Sequence, residues 1–308
     1  MNILFITLAD FKDVNEKLIY TDLLRVFIHE GHKVSIVSPR ERKYKERTQI
    51  IEHENYRVLK VKIGNTQKTN IIERGITTLL IQHQFLSAIK KYFKDERYDL
   101  LLYSTPPVTF ANVVSYFKKR DNALTYLMLK DIFPQNAVDI GLFSKESFLY
   151  KYFRGKEIKL YALSDYIGCM SKANVNYILK HNPNIPANRV EVCPNSIIPN
   201  KYILSDKLSL RRKFKLPEKS VLFLYGGNLG KPQAIDYIVN VLKENVNKGD
   251  RFFVICGLGT ELFKLEAYMS RVKPDNVLLI KGMQKKHYDE LTTACDVGLI
   301  FLDRRYTI

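Results

Sequence analysis

Apolar and polar positions follow two alternating rhythms along this chain. Short, continuous apolar runs at Ile3–Leu8, Leu100–Tyr103, Leu124–Leu129 and Val221–Tyr225 read as buried strands. Stretches between them carry apolar residues three and four apart, the spacing of a helix with one buried face. In Leu18–Glu30, residues Leu18, Leu23, Leu24, Phe27 and Ile28 share a side, and Gly31 stops the helix. Val34–Val37 is a second strand, Tyr56–Ile63 alternates as a third, and Ile76–Phe93 is a long amphipathic helix. Arg40–Arg47 reads as a charged, solvated loop. Tyr166–Met170 and Val190–Val192 are the last strands of this half. The second half repeats the rhythm, with strands at Phe252–Cys256, Val277–Ile280 and Val297–Leu302 and helices near 233–246, 260–272 and 286–295. Such alternation specifies parallel sheets with crossover helices, so the predicted class is α/β.

A chain of 308 residues exceeds one ordinary core, and two domains are expected. Asn195 to Asp206, with Pro194 and Pro199, reads as the linker, dividing the chain into 1–198 and 199–308. The sequence stops at Tyr306-Thr307-Ile308, straight after a predicted strand. A doubly wound domain ordinarily continues from there, so the second domain is expected to be incomplete.

Composition narrows the class. No stretch approaches the roughly 18 apolar residues of a membrane span, and Met1–Ile6 reads as a strand, not a signal peptide. Cys169, Cys193, Cys256 and Cys295 lie far apart without paired spacing, which favours reduced thiols and a cytoplasmic chain. Basic residues number 49 against 32 acidic, a net charge of +17 spread through both halves. That field attracts nucleic acid, anionic lipid or phosphorylated substrates, or simply keeps the chain soluble.

The clearest candidate chemistry follows Val221–Tyr225, where Gly226-Gly227-Asn228-Leu229-Gly230-Lys231 leads into Pro232 and a helical pattern. A glycine turn, a helix N-terminus and a lysine together suit a phosphate-bearing ligand. An ordinary strand-to-helix turn has the same outline. Neither the Gly-x-x-x-x-Gly-Lys-Ser/Thr nor the Gly-x-Gly-x-x-Gly fingerprint is present. Cys256-Gly257-Leu258-Gly259 lacks a third glycine, and Ile280-Lys281 stands where a ribose-binding carboxylate belongs, which argues against a nicotinamide cofactor. In doubly wound sheets, ligands sit beyond the carboxyl ends of the strands. There the chain places Leu8–Asp13, Ser104–Pro107, Lys130–Asn136 and Gly226–Lys231, with Lys130 and Lys231 as cations. Asp131 reads as a site carboxylate or as a helix cap. The six histidines show no metal spacing, and no nucleophilic triad is defined. Phe148, Tyr150, Lys151, Tyr152, Phe153, Arg154, Lys156 and Lys159 interleave aromatics with cations, as a surface on anionic lipid or as a core-facing stripe with a basic edge.

Taken in order, these motifs resemble the family 4 glycosyltransferases of the GT-B fold, in the branch serving bacterial capsule, exopolysaccharide and O-antigen assembly. The resemblance spans essentially the whole chain. It rests on Gly31-His32-Lys33-Val34, Ser104-Thr105-Pro106-Pro107, Lys130-Asp131-Ile132-Phe133-Pro134-Gln135-Asn136-Ala137, Ser171 opening a helix, Pro194-Asn195, Gly226–Lys231, Gly257-Leu258-Gly259 and Asp296-Val297. It implies two Rossmann-like domains facing across a cleft, and a retaining transfer of sugar from a UDP-linked donor to a polyprenyl-diphosphate-linked saccharide at the inner membrane face. It implies no metal, no cofactor and no nucleic-acid partner.

On that resemblance Gly226, Gly227, Asn228, Leu229, Gly230, Lys231, Gly257 and Gly259 bind the donor, and Asp10, Pro106, Lys130 and Asn136 lie on the acceptor side. Asp131 and Lys231 are the catalytic candidates, Lys231 and the nearby N–H groups neutralising the departing diphosphate. This chain departs from the family at Asp10-Phe11-Lys12-Asp13, where a glycine pair is common, at Lys130, where histidine is common, and at Ser196, where glycine is common. The family's paired glutamates would fall beyond Ile308, so a form ending there is expected to have little activity. A sugar-nucleotide epimerase of the same fold and a basic nucleic-acid-binding protein are the competing functions.

Overall fold

The computed structural model describes residues 1–10, 12–16, 19–66, 69–198 and 206–306. Phe11, Leu18 and most of the predicted linker lie outside them. The chain divides into two compact units, Met1–Pro199 and Asn200–Tyr306.

In the first unit the order is β1 (Asn2–Ile6), α1 (Thr21–His29), β2 (Lys33–Glu41), β3 (Gln49–Glu52), β4 (Tyr56–Ile63), α2 (Ile71–Tyr92), β5 (Leu100–Ser104), α3 (Ala111–Asp121), β6 (Leu124–Leu129), α4 (Gln135–Asp139), α5 (Phe148–Leu163), β7 (Tyr166–Cys169), α6 (Lys172–His181) and β8 (Val190–Val192). The strands form one sheet in the order β3-β4-β2-β1-β5-β6-β7-β8. All neighbours are parallel except β3, which pairs antiparallel with β4. Separate apolar clusters cover the two faces: Leu4, Ile6, Leu101 and Tyr103 point to one, Ile3, Phe5 and Leu102 to the other. Central strands buried on both faces read as unbroken apolar runs, which is why they stood out in the sequence. Gly31, at φ +77°, ends α1 as expected, and the Ser171 hydroxyl accepts from Asn174 N to cap α6.

The second unit runs α7 (Lys207–Lys213), β9 (Val221–Asn228), α8 (Ile235–Glu244), β10 (Arg251–Leu258), α9 (Leu262–Val272), β11 (Val277–Ile280), α10 (Lys285–Ala294) and β12 (Val297–Gly298). Its sheet is parallel, in the order β11-β10-β9-β12. Each sheet therefore reverses its order once, between β1 and β5 and between β9 and β12. A crevice opens at such a reversal because the flanking connections leave in opposite directions.

Several expectations change. The third strand of the pattern is the fourth of the chain, because the four-residue β3 is too short to show alternation. Arg40 and Glu41 are not in a solvated loop: β2 continues through them, and Arg40 pairs with Asp10 and Glu46. The predicted strand at 297–302 shrinks to Val297–Gly298. Helix α7 starts straight after the predicted linker and is capped by its last residue, Asp206, whose carboxylate accepts from Leu208 N and Ser209 N.

Candidate functional site

The first unit gathers its candidate residues at the carboxyl ends of β1, β5 and β6, beside the sheet's reversal. Hydroxyl groups stitch these ends together. Ala9 N donates to Thr7 Oγ1 at 3.1 Å, Ser104 Oγ to Thr7 Oγ1 at 3.4 Å, and Lys130 N to Thr105 Oγ1 at 3.3 Å. Thr105 Oγ1 in turn donates to the Asp131 carbonyl at 3.3 Å. Pro106 stands exposed on the turn between them, with cis bonds on both of its sides.

Asp131 does not cap a helix: α4 begins after Pro134 without a side-chain cap. Burial pushes the Asp131 carboxyl up from its ordinary 3.8. Burial likewise pulls Lys130 down from 10.5, and its Nζ is shielded from water with no hydrogen-bond partner. The Oδ1 of Asn136 is in the same condition. Adjacent groups held in costly states are the ordinary mark of a functional site.

Asp10 is otherwise placed. Its carboxylate is shared by Lys60 and by Arg40 at 3.2 Å, so the protein's own cations neutralise it. Lys60 is 0% exposed, and Ser38 Oγ also accepts from it at 3.0 Å. Neither cation stood out in the sequence. The signal available was a lysine inside the apolar run Val58-Leu59-Lys60-Val61.

In the second unit the glycine segment is less of a turn than expected. Gly226, Gly227 and Asn228 continue β9, in register with Cys256, Gly257 and Leu258 of β10. The chain turns only at Leu229, whose N–H donates to Leu258 O at 2.9 Å and whose carbonyl accepts from Glu261 N at 2.8 Å. Lys231-Pro232-Gln233 form one 3₁₀ turn, and α8 starts at Ile235. Gln233 Oε1 accepts from Gly230 N and Asn228 Nδ2, which braces the turn internally.

The glycines divide by what a side chain would meet. A Cβ at Gly257 would lie 2.0 Å from Gly227 O, and one at Gly259 would lie 2.3 Å from the Leu229 backbone. A Cβ at Gly226 would strike the Tyr288 hydroxyl at 1.9 Å. Those three glycines serve the close approach of the protein's own chain. Gly227 meets nothing nearer than 3.6 Å and is exposed, so packing does not require its bareness.

Lys231 borders a cavity of about 400 Å³. Two ion pairs line it as well. Lys264 is held by Asp236 at 2.8 Å and by Glu261, and Arg305 by Asp303 at 2.6 Å. Lys231 lines the cavity beside these two ion pairs. Asp303 N donates to Pro232 O at 2.9 Å, bringing the segment after β12 against the turn.

The aromatic and basic run of 148–159 divides into a packed side and an exposed side. Phe153 packs on Phe133, ring centres 5.0 Å apart, whereas Phe148 is 80% exposed, with Leu149, Lys151, Ile158 and Lys159 also exposed. Among the described residues no helix is long and apolar enough to cross a membrane. Nor does any group of three or more His, Cys, Asp or Glu there have the arrangement of a metal site.

Two α/β sheets, parallel but for the edge strand β3 and each reversing order once, define the fold class: it is that of the GT-B glycosyltransferase structures. The trehalose-6-phosphate protein of E. coli, solved with UDP-2-fluoro glucose bound, superposes at a TM-score of 0.72 over 98% of this chain and 78% of its own, at 12% identity. WaaG, a glycosyltransferase involved in lipopolysaccharide biosynthesis, does so at 0.64 over 97% and 74%, at 14% identity. In sequence the chain is similar to the probable glycosyltransferase WbjE of Pseudomonas aeruginosa, 21% identical over 249 residues. That similarity covers 79% of this chain and spans 60% of the length of WbjE. No family model matches the chain.

Proposed function

We propose that this chain is a glycosyltransferase that moves a sugar from a UDP-linked donor to a saccharide acceptor. The observation that carries the reading is Gly227. It is exposed at the carboxyl end of β9, beside the sheet's reversal, and it is the one glycine of β9 whose bareness the fold does not use. A diphosphate there approaches the bare backbone closely, with Lys231 three residues past the end of the strand. These groups stabilise charge that builds on the leaving diphosphate, where fixed dipoles act most strongly. The match to a structure holding UDP-2-fluoro glucose supports the donor class.

On the acceptor side Asp131 takes the proton of the attacking hydroxyl. Its raised pKa brings it nearer the working pH, which suits a general base. Attack on the face that the diphosphate leaves retains the anomeric configuration and needs no protein nucleophile. Lys130, Asn136 and Pro106 border the acceptor's path. Asp10, already paired, shapes the loop instead of meeting substrate with a bare charge.

The acceptor we propose is a polyprenyl-diphosphate-linked saccharide of bacterial surface polysaccharide synthesis, reached from an anionic membrane surface. Exposed Phe148, Leu149 and Ile158 among Lys151 and Lys159 support that contact. The epimerase and nucleic-acid functions are not favoured, because the named relatives are glycosyltransferases and the cations beside Lys231 are matched by carboxylates.

Calorimetry with UDP tests the reading. Charge reversal, Lys231→Glu, is expected to weaken binding about 10- to 100-fold, the scale of a lost charge-assisted hydrogen bond. No heat from the unaltered chain, or no change on reversal, would refute it.

A further inference from the structure

Beside the candidate site, the first unit holds a partly open cavity of about 220 Å³ between α4, α5 and α6. Its wall includes three polar side chains more than nine-tenths buried: Gln135 at 8% exposure, Glu157 at 3% and Asn182 at 8%. Two of them are satisfied by the protein. Asn182 Oδ1 accepts from Arg154 at 2.7 Å, and its amide donates to Ile178 O at 2.8 Å. Glu157 accepts from Arg154 at 2.5 Å and from the Tyr161 hydroxyl at 2.7 Å. Arg154 and Glu157 thereby cancel each other's charge inside the wall.

Gln135 is different. Its Nε2 donates to Asp139 at 2.6 Å, while its Oε1 is buried without a partner. The orientation of the amide is fixed by chemistry, since an ionised carboxylate only accepts. The oxygen is therefore the group left over, stripped of water and lacking a donor. A buried acceptor in this state is a standing cost that a ligand hydroxyl would remove. Tyr150 and Tyr177 add aromatic surface, and Lys145 and His181 also line the cavity.

We propose that this cavity takes one neutral saccharide ring, a unit of the acceptor glycan, with a ring hydroxyl donating to Gln135 Oε1. Three features select that class. The orphan oxygen requires a donor, which an ionised phosphate does not supply. Aromatic walls suit the C–H face of a sugar. The volume lies below the roughly 300–1,000 Å³ of sites for drug-sized ligands, so it admits one ring and not a chain. The identity of the ring as acceptor rests on the glycosyltransferase reading; the occupancy of the cavity does not.

Saturation-transfer NMR on the full chain, with methyl glycosides of glucose, galactose, mannose and N-acetylglucosamine, tests the proposal, with UDP calorimetry run alongside. At least one glycoside is expected to bind. Gln135→Leu should weaken it by about 5-fold or more, the usual effect of losing one hydrogen bond, and leave UDP binding unchanged. Tyr150→Ala, at a half-buried position, should also weaken it and serves if the Gln135 variant does not fold. UDP binding without any glycoside binding would overturn this inference alone. Glycoside binding that both variants leave unchanged would overturn it too. Glycoside binding sensitive to the variants, without UDP binding, would keep the cavity and retire the transferase reading.

Discussion

Replacing Gly257 by alanine should unfold the second unit at a much lower temperature, whereas the same change at Gly227 should spare the fold and damage donor binding. The two residues face each other across β9 and β10, so they share an environment and differ in what occupies it. A Cβ on Gly257 would stand 2.0 Å from the Gly227 carbonyl oxygen and 3.2 Å from Leu229 Cγ. The obstruction is backbone, held in the sheet, and no rotamer change relieves it. Overpacking of this kind costs typically 1–3 kcal/mol, and a backbone clash belongs at the upper end, about 3 kcal/mol. For a unit of about 100 residues each kcal/mol moves Tm by roughly 4–8 °C, giving a fall of roughly 12–24 °C. At Gly227 the nearest atom to a Cβ is 3.6 Å away, an ordinary contact, and the change in stability should stay within about 0.5 kcal/mol. A methyl group there does occupy the space a diphosphate would need. Thermal melts followed by circular dichroism, with UDP calorimetry on each protein, read both effects. A Gly257→Ala protein as stable as the parent would refute the close strand approach. A Gly227→Ala protein with parental UDP affinity would show that the open position is not the ligand's.

Asp131→Asn should lower transfer by about 10²–10⁴-fold, the range for losing a general base, and abolish the acidic limb of the pH–rate profile, which in the parent should lie above the ordinary carboxylate range. The same substitution should stabilise the first unit at neutral pH. A carboxyl with a raised folded pKa favours folding below its unfolded value, and that contribution is lost as pH rises through the folded one, so removing the ionised form restores it; urea melts at acidic and neutral pH check the sign. Asp10→Ala strips the buried Lys60 of its carboxylate and should cost about 2 kcal/mol, below the roughly 3–5 of a fully buried pair because Asp10 is itself 32% exposed, as read in a denaturant melt. Replacing Lys151 and Lys159 together should weaken binding to anionic vesicles about 30-fold at low salt, from about 1 kcal/mol per basic residue, and vesicle co-sedimentation that is unchanged or equal on neutral lipid would remove the electrostatic part of membrane contact.

The sequence by itself determined the alternation of strands and helices, since burial on both faces forces continuous apolar runs and crossover helices force one-sided ones. Leu124–Leu129 and Val277–Ile280 were legible to the residue for that reason. It also located the turns after β1, β5 and β6, because proline and charge interrupt those runs, whereas β9 runs through its glycines and turns only at Leu229. Tertiary structure decided what the turn residues do. Gly257 and Gly259 look like ligand glycines in one dimension, and only the approach of Leu229 and Gly227 shows that the fold itself needs them bare. Asp10 reads as an isolated charge until Lys60 and Arg40 arrive from elsewhere in the chain to neutralise it. Periodicity is a local property written in neighbouring residues, while charge compensation and steric exclusion depend on partners that only folding brings within a few ångströms.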